Sequence, residues 1–186
     1  MVEQIIIDTA IIIKDSLSLL IDGGIKNKGN FNISCGKLTD YNNIDIRYSN
    51  EYRETFDKIM KIKGPVVYWF EIRSNYKNSE IRNQIIEYAQ QANSKSTPAL
   101  KKKFDSTSTC LYVGKVKKIF WGRIIQHLGF YKVKQTQGLQ LFYWAKDINL
   151  DLRVHYFEFD KELEDFVDVF EKRLAKRLNP IVGKHQ

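Results

Sequence analysis

The chain has 186 residues, of which 43% are hydrophobic and 13% aromatic; this is enough for a core without metal or disulfide support and too apolar for a disordered or collagen-like chain. Thirty Lys and Arg against 22 Asp and Glu leave a net charge of +8, which favours a polyanionic partner, nucleic acid first and anionic membrane second. Two cysteines, Cys35 and Cys110, cannot build a disulfide framework and read as reduced thiols of a cytoplasmic protein.

The opening Ile5–Ile13 stretch is interrupted by Asp8 and Thr9, and Glu3 stands where a signal peptide carries positive charge. No segment approaches the roughly 20 apolar residues of a membrane-spanning helix. The expectation is a soluble chain that does not engage a membrane. Turn residues then accumulate (Asp22, Gly23, Gly24, Gly29, Asn30, Gly36) up to a composition shift near Lys61–Pro65. Residues 1–63 therefore read as an α/β extension of helix and short strands whose role is open, and 64–186 as a second unit.

From Pro65 the pattern sharpens. Val66–Ile72 is β-branched and aromatic behind Gly64-Pro65, which predicts a buried strand. Residues 73–108 read as an insertion: a polar loop over Ser74–Ser79, a helix over Glu80–Asn93 with Ile81, Ile85, Ile86 and Ala89 at helical spacing, then a Ser/Thr/Lys-rich solvated loop. Thr109–Gly114 predicts a second strand ending in glycine, Ile119–Leu128 a basic helix, and Leu152–Phe159 a strand with one wet face. A last helix spans Lys161–Leu178, with Pro180 beyond its end.

The charge is unevenly placed. Residues 1–63 hold nine basic and nine acidic side chains, whereas Lys101–Lys134 holds nine basic residues (Lys101, Lys102, Lys103, Lys115, Lys117, Lys118, Arg123, Lys132 and Lys134) against one acid, Asp105. A basic window around one strand and one helix suits phosphates.

Four short motifs lie in order on these elements: Val66-Val67-Tyr68, Tyr112-Val113-Gly114-Lys115, Gly122-Arg123-Ile124-Ile125-Gln126-His127-Leu128, and Glu171-Lys172-Arg173-Leu174 running to Pro180. Together they make residues 64–186 resemble the GIY-YIG nuclease superfamily, of the restriction-endonuclease-like type with an insertion between the two tyrosine motifs. The resemblance implies an α+β fold with a small central antiparallel sheet of about three strands flanked by helices. Valine stands for the first motif's glycine, and Pro180-Ile181-Val182-Gly183 lacks the family's closing asparagine, for which Asn179, His185 or Gln186 are the available substitutes.

Cleaving a phosphodiester needs an activated water, positive charge at the phosphorane and help for the leaving oxygen. Glu171 is a carboxylate able to hold Mg²⁺ or Mn²⁺, which needs few protein oxygens. Arg123 offers a forked, permanent cation, and His127, four residues on, shares its helix face. Tyrosine can take a proton from water where neighbouring cations lower its pKa. By resemblance Tyr68 is the general base, Tyr112 positions water or phosphate, and Gly114 lets the backbone approach the scissile phosphate. Lys115, Lys117, Lys118, Lys101, Lys102, Lys103, Lys132 and Lys134 are the expected contacts to duplex DNA. Singly, each residue has an ordinary reading: core tyrosines, a solvated arginine and glutamate, a core-edge histidine, a flexible lysine run. The expected function is a DNA endonuclease using one divalent metal ion, with restriction, repair and mobile-element roles all open. The alternative is a catalytically impaired nucleic-acid-binding protein that keeps the fold and basic surface. The oligomeric state is open, a dimer included.

Overall fold

Val66–Ile72 forms β2, the inner strand that the rest of the sheet is built upon. It pairs antiparallel with β3 (Cys110–Val116) on one side and with β4 (Asp151–Glu158) on the other. The outer edge of β4 carries β1 (Asn27–Ser34), giving the order β1-β4-β2-β3. The computed structural model describes residues 2–41, 44–101, 105–131 and 137–183. The fold class is α+β, with four antiparallel strands where about three were expected. The added strand comes from the turn-rich first third: Phe31 and Ile33 lie opposite Val154 and Leu152, so its apolar alternation, short and hidden among Asn and Gly, continues the apolar face of β4.

Helices cover both faces. On one, Tyr68, Phe70, Tyr112 and Val154 join a single core with Phe56 and Ile59 of α2 (Arg53–Ile59), Ile81, Ile85 and Tyr88 of α3 (Asn78–Ala89), Phe120, Ile124 and Leu128 of α4 (Phe120–Leu128), and Trp144 of α5 (Leu141–Trp144). On the other, Val67 and Val113 meet Val167 and Ala175 of α6 (Val167–Leu178), and the end of α1 (Val2–Gly23) adds Leu17 and Leu20. Strand β2, apolar on both sides, thus reads as an unbroken run rather than an alternation. Among the described residues no helix is long and apolar enough to cross a membrane.

Boundaries moved for local reasons. Strand β3 continues through Gly114 to Val116 instead of stopping at the glycine. The last helix is broken: Lys161–Leu163 is a 3₁₀ turn and α6 begins at Val167. Gly129 closes α4 at φ 104, and Asn179 closes α6 at φ 46 just before Pro180, the left-handed caps that satisfy terminal carbonyls. The Ser/Thr/Lys stretch after α3 is not wholly solvated: Pro98 is buried, and the Asn78 amide donates to the carbonyls of Asp105, Ser106 and Ser108 at 2.9–3.1 Å.

The chain after α6 seals the β3 edge. The Ile181 and Val182 amides donate to the Cys110 and Leu111 carbonyls at 2.9 and 3.0 Å, and Gly183 donates to Ala99 at 2.9 Å. An open strand edge is thereby covered by residues 181–183.

Candidate active site

Tyr68 and Tyr112 project from neighbouring strands on the α4 side of the sheet. Tyr68 lies opposite Gly114, and a Cβ on Gly114 would come within 2.6 Å of both tyrosine rings. Glycine is required here because two aromatic rings lie over the backbone. The tyrosine rings sit 6.3 Å apart, centroid to centroid.

Helix α4 delivers the cationic side. Ile119 precedes it in the left-handed region at φ 58, and the helix then turns His127 fully inward while Arg123 stays half-buried. The Tyr68 hydroxyl lies 2.8 Å from His127 Nε2 and receives the Arg123 Nε–H at 3.2 Å. On the far side of the imidazole, Nδ1 accepts the Leu139 backbone N–H at 3.2 Å. An acceptor at Nδ1 puts the ring proton on Nε2, so His127 donates to Tyr68. The Tyr68 oxygen thus receives two N–H groups, and its own proton is left to be handed elsewhere. Arg123 also hydrogen-bonds Tyr112. Its guanidinium is held by the Gln126 side chain at 2.9 Å and the Gln137 carbonyl at 3.0 Å. Gln126, three residues along the same helix, was legible by spacing as a neighbour of Arg123; Gln137 and Leu139 were not, since a loop brings them in.

Burial sets the protonation states. It pushes the Tyr68 hydroxyl well above the usual tyrosine range, with Tyr112 and Glu171 adding to the rise and Arg123 opposing it. Tyr112 is raised too, by burial foremost and then by Glu171, against Arg123. His127 is lowered well below an ordinary histidine, by burial and then by Arg123, and is neutral at pH 7. Burial also works against the charge of Arg123, but the two tyrosine oxygens more than offset it.

Glu171 rides on α6, which packs on the Val67 and Val113 side of the sheet, opposite the tyrosine rings, and reaches both tyrosines only electrostatically, raising each of them. It is 9% exposed, with Oε2 3.4 Å from the Lys115 ammonium, and Lys115 also pairs with Asp168 one turn earlier. Among the described residues no three His, Cys, Asp or Glu side chains gather as a metal cage. The oxygens of Glu171 and Asp168 already hold a cation, the ammonium, and their hard-donor chemistry suits Mg²⁺ or Mn²⁺ bound largely by water. Asp168, three residues before Glu171, completes this pair.

The expected DNA-contacting lysines divide. Lys115 and Lys117, alternate residues at the end of β3, reach successive turns on the α6 side: Lys115 to Asp168 and Glu171, Lys117 to Glu164 and Asp165, the last at 2.9 Å. Asp165 holds Lys117 protonated. Lys101 donates to the Asn179 side chain at 3.2 Å, and burial lowers its pKa. Lys117 and Lys118 line a cleft with Lys26, Lys63 and Lys161, three lysines from distant segments that lie outside the Lys101–Lys134 window. Lys102, Lys103, Lys132 and Lys134, with His185 and Gln186, lie outside the described residues.

No protein-family model, curated protein or solved structure matches the chain.

Proposed function

We propose that the protein is a DNA endonuclease of the GIY-YIG type that hydrolyses phosphodiester bonds with one divalent cation. The observation that carries this reading is the hydrogen-bonded group Tyr68–His127–Arg123, with Tyr112 on the same guanidinium and the Glu171 carboxylate within electrostatic reach. A core that needed only packing would not gather two tyrosine hydroxyls, an arginine and a buried carboxylate, because each polar group costs free energy to desolvate.

In this reading Tyr68 takes the proton of the attacking water. The two N–H groups on its oxygen favour the phenolate but burial outweighs them, so base catalysis would draw on a small phenolate fraction that grows with pH. His127 holds that oxygen in place and, being neutral, adds no charge that would repel Arg123. Arg123 stabilises charge on the phosphorane, with its fork pre-positioned by Gln126 and the Gln137 carbonyl. Tyr112 orients phosphate or water. Glu171, with Asp168 beside it, would hold Mg²⁺ or Mn²⁺, which supplies Lewis-acid stabilisation of the developing charge and of the leaving oxygen. Lys115 neutralises the carboxylates until the cation arrives. The Lys26, Lys63, Lys117, Lys118 and Lys161 cleft would grip the flanking DNA backbone, which positions the duplex without reading sequence.

A second reading, a nucleic-acid-binding protein with impaired catalysis, is favoured by two observations: Tyr68 has no exposed surface and Lys115 occupies Glu171. One assay separates the two. Purified protein, Arg123→Ala and Glu171→Ala are incubated with supercoiled plasmid and Mg²⁺ or Mn²⁺. Nicking or cutting by the parent alone supports the enzyme, whereas salt-sensitive binding by all three without cleavage supports the second reading.

A further inference from the structure

Helix α1 is anchored at one end only. Its last turns seat Leu17 and Leu20 against Val67, Phe159, Leu163 and Val167, and Ser16 is buried. Ahead of that anchor, Val2 and the isoleucines of Ile5–Ile7 and Ile11–Ile13 are each 39–69% exposed. At about 100° per residue, Val2, Ile5, Ile6, Thr9, Ile12 and Ile13 lie on the side of the helix that continues into Ser16, Leu17 and Leu20. The apolar face that docks the helix to the body thus runs on, uncovered among the described residues, for some 20 Å. A free helix of this length rich in β-branched residues is marginal in water, and a soluble monomer rarely shows so large an apolar patch.

We propose that this face pairs with the same face of a second copy of the chain, as an antiparallel helix pair about a two-fold axis at Thr9. The pattern Ile5, Ile6, Thr9, Ile12, Ile13 is the same read in either direction, the self-complementarity that an isologous interface demands. The two hydroxyls within the face are satisfied inside the helix, Thr9 donating to the Ile5 carbonyl at 2.7 Å and Ser16 to that of Ile12 at 2.9 Å; neither donor is orphaned when the face is covered. The four acids of α1 (Glu3, Asp8, Asp15 and Asp22) against one lysine disfavour nucleic acid or an anionic membrane as occupant. Burying this face on both copies, with the adjoining surface of the body, approaches the roughly 1,200 Å² at which specific interfaces begin. The inference is independent of the nuclease reading.

Sedimentation equilibrium of the full chain tests it, carried to about a hundred times a micromolar Kd. The expected result is a concentration-dependent dimer that becomes monomeric in Ile6→Glu/Ile12→Glu. Both positions are exposed, so the circular dichroism and melting of the body should be unchanged. A parent monomeric at every concentration, or a dimer indifferent to the double glutamate variant, overturns the proposal. So does isoleucine-dependent binding of a monomer to phosphatidylcholine–phosphatidylglycerol vesicles, which would make the occupant a lipid surface.

Discussion

His127 donates its Nε2–H to the Tyr68 hydroxyl at 2.8 Å while its Nδ1 accepts the Leu139 amide at 3.2 Å. One buried imidazole therefore ties β2 to α4 and to the loop before α5. With its pKa held well below the ordinary value by burial and Arg123, the folded chain refuses a proton that the unfolded chain accepts near pH 6.5. That difference makes stability fall as pH drops below about 6.5, since the unfolded state then binds more protons. The denaturation midpoint should decline between pH 7 and 5. The slope should flatten in His127→Gln, which cannot be protonated, although the variant itself should be destabilised by about 1–3 kcal/mol through lost hydrogen bonds.

The proposed base has the opposite dependence. Burial, Tyr112 and Glu171 raise Tyr68 against the pull of Arg123, so the phenolate fraction grows with pH throughout the physiological range. Plasmid cleavage should increase steadily up to roughly pH 9. Tyr68→Phe should lose at least about 10²-fold in rate and with it the pH slope, read from initial nicking rates. A flat profile in the parent would rule out Tyr68 as the group that takes the proton.

Gly114→Ala should be costly although the site lies in a regular strand. The new methyl meets the Tyr68 and Tyr112 rings at 2.6 Å, closer than van der Waals contact permits, and both rings belong to a dense core. Overpacking of this kind costs about 1–3 kcal/mol, measurable as a lower urea midpoint at unchanged slope. Because the displaced rings carry both candidate hydroxyls, cleavage should fall by more than the loss of folded protein.

The insertion is part of the core and should not be removable. Ile81 and Ile85 are 0% and 3% exposed and join the cluster that contains Tyr68 and Tyr112. Ile81→Ala should cost about 2–4 kcal/mol. Deleting Ser74–Ser106 should leave a chain without a cooperative thermal transition. A deletion variant that melted cooperatively would show that α3 is an accessory layer.

Much of this molecule is written in local pattern. The β-branched and aromatic run Val66–Ile72 and the Ile81/Ile85 spacing each make an element recognisable, because apolar periodicity is a property of a few adjacent residues. The same spacing places Arg123 beside Gln126 and His127, and Asp168 beside Glu171. Other relations exist only in the packed chain. The pairing of Asn27–Ser34 with β4 is carried by two inward apolar residues amid Asn and Gly, too weak a signal to read alone. The orientation of the His127 ring depends on Leu139, twelve residues away across a loop, and the role of Gly114 on two rings stacked over it from different strands. Charge was the least legible: Lys115, Lys117 and Lys101 counted toward a basic window, yet carboxylates on and just before α6 and the Asn179 amide claim them, while Lys26, Lys63 and Lys161 reach Lys117 and Lys118 from afar. Sequence determines which groups are available and on which element each one rides. Only tertiary packing decides which are desolvated and what each one faces, since both depend on residues distant along the chain.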